Sequence, residues 1–417
     1  MFSAQALFFW QGLKSIDLLI ELPANRVVNP GKDTKMKICN CFLIGTLVLF
    51  CFYRASAQPA TPMVVGYVFQ QDAPLVPGQI DAHRLTRVNY AFANIKDGRM
   101  VTGFASDAQN FAMLTGLKKE NPSFTVLISV GGWLWSNNFS DMSLTPKSRS
   151  VFIQSVMEFL RLYHLDGLDI DWEYPGLAGS SQNFRSEDTH NFTLLLKELR
   201  KQFDEETAKT HQRLYLTIAA GSSNEYLAHT EMKEVQKYVD TVNLMAYDYV
   251  EPGDEPLTGH HSPLFTNPAD VRNYSSDASV RAFETAGVPA EKILLGVPFY
   301  GHVWGQVADV NHGFLQPGKP VPHAYAPYSA ITSTMLNQGY VRYWDPVASA
   351  PYLYNSDKQI FVSYEDTESL AAKCRYVLQQ KLGGVMFWDY TGDPSGALLG
   401  TISSSLHGGA TSGKTAQ

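Results

Sequence analysis

Residues 166–175 read Asp-Gly-Leu-Asp-Ile-Asp-Trp-Glu-Tyr-Pro, and this stretch decides how the rest of the chain is understood. It predicts a buried strand that ends at Pro175. Strand side chains alternate faces, so Asp169, Asp171 and Glu173 share one face and Leu168, Ile170 and Trp172 the other. Folding alone does not favour a row of carboxylates on an inner strand, because each must be desolvated beside like charges about 6–7 Å away. Such crowding raises carboxyl pKa values, and a carboxylic acid that keeps its proton near neutrality is what a general acid requires. A solvated edge strand with scattered acids would not carry so apolar an outer face.

Working outward, short apolar runs recur at 63–69, 87–95, 124–132, 167–175, 214–223, 241–249, 293–301 and 383–391. Amphipathic stretches at 108–120, 147–164, 189–207, 231–239 and 280–286 lie between them. Near-continuous apolar strands alternating with helices indicate a parallel sheet covered by helices, and eight such units predict an α/β fold of the (β/α)₈ TIM barrel type. Its site would lie at the C-terminal strand ends. An open doubly wound sheet is the alternative, weakened because no Gly-x-Gly-x-x-Gly follows the first run. The predicted strand ends hold Tyr67, Tyr90, Phe92, Gly131-Gly132-Trp133, Glu173, Met245 with Tyr247-Asp248, Phe299-Tyr300 and Trp388-Asp389. Taken together at one rim of one barrel, these aromatics predict a sugar-binding groove.

Between the seventh and eighth runs, residues 302–368 are too long for one helix and predict a small α+β insertion ahead of a helix at 369–381. Residues 58–301 then hold barrel strands 1–7, residues 369–406 close the barrel, and the Gly/Ser-rich 407–417 is expected to be disordered. At the other end, Lys35-Met36-Lys37, an apolar run at 38–53 and Ala55-Ser56-Ala57 form a secretory signal pattern at 36–57. The run is shorter than the ~20 residues of a membrane span. Met36 is therefore expected as the initiator, residues 1–35 as an extension outside the working protein, and Gln58 as the first residue after cleavage, giving a secreted, periplasmic or cell-surface protein. Removing 1–57 takes away six basic and three acidic residues, so 33 and 40 become 27 and 37, a net charge of −10. That argues against a nucleic-acid partner, which would call for basic patches. Of four cysteines only Cys374 remains, which leaves no internal disulfide. No His/Cys cluster has metal-ligand spacing, His260-His261 reads as a loop pair, and neither a metal nor a cofactor is expected.

The spacing of Asp166, Asp169, Asp171 and Glu173, D-x-x-D-x-D-x-E, resembles the signature of glycoside hydrolase family 18, the chitinases and their relatives. The other strand-end segments resemble their counterparts there, so the likeness covers most of residues 62–406, and 302–368 resembles the chitinase insertion domain of one branch. The resemblance implies chitin and chito-oligosaccharides as partners, hydrolysis of β-1,4 bonds with retention, no membrane segment after processing, and a monomer. It implies Glu173 as acid, Asp171 on the substrate acetamido group, Asp169 sharing a proton with Asp171, and Tyr247 as donor to the acetamido oxygen. Substrate contacts would come from Tyr67, Phe92, Gly132, Trp133, Met245, Asp248, Tyr300 and Trp388, with Glu365 a further candidate. Asp166 would orient the start of the strand. His302 stands where many relatives carry Arg, and it is left outside the site. Two other functions stay open. An endo-β-N-acetylglucosaminidase acting on N-glycans would usually lack the insertion, and a non-catalytic chitin-binding lectin would replace Glu173.

Overall fold

The structure, a computed structural model, describes residues 61–408. The expected signal at 36–57 and the end of the tail, 409–417, lie outside the described residues. Fourteen strands follow in chain order among those described: β1 (Met63–Phe69), β2 (Arg87–Lys96), β3 (Arg99–Val101), β4 (Thr125–Gly131), β5 (Gly167–Asp171), β6 (Tyr215–Gly221), β7 (Thr241–Met245), β8 (Ile293–Pro298), β9 (Tyr300–Gly305), β10 (Lys319–Pro327), β11 (Val341–Asp345), β12 (Ala350–Asn355), β13 (Ile360–Ser363) and β14 (Gly384–Trp388). Parallel pairing runs β1-β14-β8-β7-β6-β5-β4-β2, and a further β1–β2 pairing closes the circle into the eight-stranded barrel. β3 extends β2 as a short antiparallel hairpin.

Every residue of β5 is buried, as a strand covered on both faces must be. Leu168, Ile170 and Trp172 belong to the main apolar core. Trp172 stacks on Phe139 at 5.1 Å and meets Phe192 edge-on at 5.8 Å, so helices Phe139–Ser143 and Asp188–Thr210 dock on this strand. Inside the barrel, Ser129 of β4 and Thr217 of β6 lie in register with Asp169. Helix Pro146–Tyr163 starts where Thr145 caps the amide of Ser148, with Pro146 at the first helical position.

Several expected boundaries need correction. β5 ends at Asp171, not at Pro175, because its ladder with β6 stops at Ile170 and its register with β4 at Asp171 opposite Gly131. Strand alternation therefore does not reach Glu173. The helix expected at 231–239 is only Met232–Val235. The last helix, Ala397–His407, includes His407, whose ring nitrogen contacts the Pro62 carbonyl at 2.9 Å, so that residue is ordered against the first strand.

The insertion is a second, antiparallel sheet ordered β10-β9-β13-β12-β11, placed between β8 and helix Thr367–Gln380. It begins at Tyr300, two residues ahead of the expected boundary. A separate apolar cluster of Trp304, Phe314, Tyr352, Tyr354 and Phe361 holds it together.

Candidate active site

The C-terminal ends of the barrel strands open into a cleft of about 1020 Å³. Asp171, Glu173, Tyr247, Tyr67, Phe92, Trp133, Met245, Asp248, Tyr300 and Trp388 all line it. Asp169 lies one layer below, fully buried, where it accepts hydrogen bonds from Tyr67 Oη (2.8 Å), Ser129 Oγ (2.8 Å), Asn243 Nδ2 (3.0 Å) and Thr217 Oγ1. Asp171 contrasts with it. Its Oδ1 is buried and has no partner. Burial, then the charges of Glu173 and Asp169, push its carboxyl well above the usual range, so it carries a proton. Asp169 thus receives four donors and Asp171 Oδ1 none, although burial pushes the Asp169 carboxyl up as well.

Glu173 reaches the cleft by a turn of backbone beyond the strand. Its amide donates to Ser136 Oγ (2.9 Å), and the Glu173–Tyr174 peptide is cis, as are Ala91–Phe92 and Trp388–Asp389 at neighbouring strand ends. Burial is the main cause that pushes its carboxyl up to about 7; the charges of Asp248 and Glu251 add to this and a hydrogen bond with Tyr174 opposes it. Burial and the surrounding carboxylates hold the Tyr247 hydroxyl protonated far above neutrality. Trp388 stacks on Phe92 at 5.5 Å, with Phe69 at 5.6 Å and Tyr67 at 5.9 Å beside it. Trp133 is half exposed over the opposite lip.

Some sequence-derived positions fall elsewhere. Gly132 does not line the cleft; a Cβ there would sit 2.5 Å from the Phe92 ring, so its φ of +74° and lack of side chain let Phe92 pack. Tyr90 turns outward to donate to Asp107 (2.9 Å). Glu365 pairs with Lys373 at 2.6 Å, both fully buried, and is not on the cleft. Asp166 does hold the start of β5, accepting from the Val126 amide (2.7 Å) and pairing with Lys118 (2.6 Å).

Other cleft residues were not selected from the sequence. Phe69, Phe104 and Trp135 extend one arm, while Tyr249, Tyr274 and Glu251 line the other. Tyr325, from β10 of the insertion, stacks on Tyr300 at 4.3 Å. His302 belongs to the site after all. Its Nε2 lies 2.8 Å from Asp248 Oδ1, and Tyr300 Oη donates to the same carboxylate at 2.6 Å. His261 Nδ1 is 3.5 Å from Asp248 Oδ1, so the expected loop pair is split: His260 is buried on Asp345 (3.1 Å) and His261 is buried at the cleft wall. Burial would raise Asp248, yet these two imidazoles pull it below the usual carboxylate range. Burial takes His261 down to about 4, so it is neutral, whereas the bond to Asp248 outweighs burial at His302 and raises it. The only signal in the sequence was His302 standing in the place of an Arg.

The profile of glycosyl hydrolases family 18 matches residues 63–393. Chitinase A1 of Niallia circulans is 34% identical over 459 residues, an alignment covering 92% of this chain and 65% of that protein, so the chain spans less than two thirds of this relative's length. Chitotriosidase-1 of Mus musculus is 33% identical over 328 residues, covering 75% of this chain and 68% of its own. A family 18 N-acetylglucosaminidase of known structure from Paenibacillus barengoltzii has a TM-score of 0.76 at 40% identity, covering 82% of this chain and 99% of that one. A closed (β/α)₈ barrel, an acidic strand end under an aromatic cleft, and a family match over most of the chain leave one assignment: the chain belongs to glycoside hydrolase family 18.

Proposed function

We propose that this protein hydrolyses β-1,4 bonds in N-acetylglucosamine oligomers and polymers, with the substrate's own 2-acetamido group as nucleophile. The observation that carries the reading is the placement of Asp171, buried with no partner on Oδ1, and Glu173, its carboxyl pushed up by burial to about 7, together in one aromatic cleft. Glu173 gives its proton to the glycosidic oxygen as that bond breaks. The acetamido oxygen bonds to the anomeric carbon, forming an oxazolinium ion on the same face, as substrate-assisted members of this family do. Asp171, freed to turn toward the sugar by passing its proton to Asp169, accepts the acetamido N–H and stabilises the positive charge. Tyr247 donates to the acetamido oxygen, and Trp388 carries the sugar ring. Glu173 then takes a proton from the attacking water, and configuration is retained.

The test compares chitotetraose with cellotetraose. Hydrolysis of the first alone is expected, because cellulose oligomers lack the nucleophile; comparable rates on both would overturn substrate assistance. A second reading, removal of single N-acetylglucosamine units, is favoured by the likeness to the Paenibacillus barengoltzii enzyme. Product analysis separates the two, since disaccharide from the interior of the chain speaks for a chitinase and monomer alone for the second. Secretion after cleavage of residues 36–57 belongs to the same proposal; no helix among the described residues is long and apolar enough to cross a membrane.

A further inference from the structure

We propose that Asp248, His261 and His302 form a site for a divalent transition-metal cation of the zinc class, on the wall of the cleft. Asp248 and His261 lie on the long loop that follows β7, and His302 lies on β9 of the insertion. For that reason no spacing in the sequence announces them. One ligand atom from each lies within 4.8 Å of the others. Two imidazoles and one carboxylate suit Zn²⁺, Cu²⁺ or Ni²⁺ far better than Mg²⁺ or Ca²⁺. In a tetrahedral zinc site with bonds of about 2.0–2.1 Å, neighbouring ligand atoms stand roughly 3.2–3.4 Å apart. The separations from Asp248 Oδ1, 2.8 Å to His302 Nε2 and 3.5 Å to His261 Nδ1, bracket that value.

The surroundings are those of a supported ligand set. Tyr300 Oη holds the Asp248 carboxylate at 2.6 Å, and His302 sits in β9 opposite Tyr325 of β10, which fixes its backbone. His261 Nδ1 faces the acceptor-only Asp248 carboxylate at 3.5 Å, which holds the ring proton on Nδ1, while the buried Nε2 has no partner; a cation that binds here shifts that proton to Nε2 and takes the Nδ1 lone pair. Its backbone is fixed, with the amide donating to Ser363 Oγ (2.9 Å). The next residue is held by Lys373 Nζ at its carbonyl (2.7 Å) and hydroxyl (2.6 Å). Both histidine side chains are almost fully buried while that of Asp248 is 34% exposed, which leaves the open position facing the cleft. Glu251 Oε2, 3.9 Å from His302, adds negative charge, and neither Lys nor Arg lines the cleft. A proton between His302 and Asp248 satisfies the same contact, so proton and cation compete for one place. An ion there would also occupy Asp248 and obstruct saccharide; this second consequence rests on the glycosidase reading, whereas binding of the ion does not.

The experiment titrates chelator-treated protein with ZnCl₂ by calorimetry, and with CoCl₂ while following the visible d–d bands of the ion. One equivalent is expected to bind, with tetrahedral or five-coordinate Co²⁺ bands and no comparable uptake of MgCl₂. Loss of an outer-sphere partner costs about 10–100-fold in metal affinity, so H302Q and H261Q should each weaken binding at least about tenfold. Unchanged circular dichroism and melting would show that these variants are folded, and the Co²⁺ bands of the unmodified protein decide the ligand set should either fail to fold. Absence of binding, octahedral all-oxygen Co²⁺ spectra, or affinity indifferent to both substitutions would overturn the site. Zn²⁺ inhibition that is competitive with chito-oligosaccharide supports the obstruction, and saturating Zn²⁺ without inhibition would remove that consequence alone.

Discussion

In the proposed mechanism Glu173 holds a proton at the start of a turnover and accepts one at the end, and a carboxyl pushed up to about 7 suits both. Glu173→Gln preserves the shape and loses the proton. Turnover should fall by at least about two orders of magnitude, while chito-oligosaccharide still binds through Trp133 and Trp388, as calorimetry beside a chromogenic assay would report. Near wild-type turnover would end the assignment for Asp169, Asp171 and Glu173 together. The same shift bears on stability. The folded-state value lies above the ordinary 4.5, so between about 4.5 and 7 the unfolded chain releases this proton while the folded protein keeps it. Folding is therefore progressively disfavoured by this group as pH rises through that window, and the loss is complete above it. Glu173→Gln should accordingly melt higher than wild type at pH 8 and equally near pH 4. A lower Tm at pH 8 would mean that Glu173 is not held against its charge.

The loop after β7 carries Tyr247 and Asp248, and what fixes it lies in another element. Lys373 of helix Thr367–Gln380 donates to Ser262 and Glu365, and Ser262 Oγ donates to the Ala246 carbonyl (2.8 Å). Lys373 and Glu365 are 0% and 1% exposed, and Glu365 Oε2 has no partner. Breaking one half of such a pair leaves a bare buried charge, so Lys373→Met should cost about 3–5 kcal/mol, and adding Glu365→Leu should recover most of it. Urea unfolding of both variants checks this; a double variant no more stable than the single would show that the pair is not coupled in this way. Elements differ in how legible they were. The eight barrel strands could be read because a parallel strand is apolar on both faces, whatever it packs against. Asp169, Asp171 and Glu173 were legible because nothing in folding asks for them. Tyr325 and His302 reach the cleft through the antiparallel pairing of β9 with β10, which sets Tyr325 opposite His302. His261 arrives by loop closure. A single chain of letters holds no local period for such meetings, so the same letters read as insertion, departure and loop.

At the scale of the whole molecule, the first strand is closed into the barrel by partners within the described residues. β1 begins at Met63, its partner strands β2 and β14 lie far along the chain, and the Pro62 carbonyl is met by His407 (2.9 Å). Cleavage between Ala57 and Gln58 would leave all of these contacts in place. The pattern that motivates this cleavage is chemical: two lysines flanking Met36, an apolar run from 38 to 53, and the small residues Ala55 and Ala57 at the positions a signal peptidase requires. The protein recovered outside the producing cell should therefore begin at Gln58, and by the count of charges it should run as a chain of net −10. N-terminal sequencing and intact mass on the exported protein test both at once. A chain produced from Gln58 should also match the exported protein in Tm and in turnover, since after this cleavage the two are the same chain. An exported species that retained residues 1–35, or one still anchored through 38–53, would contradict both the start at Met36 and the cleavage.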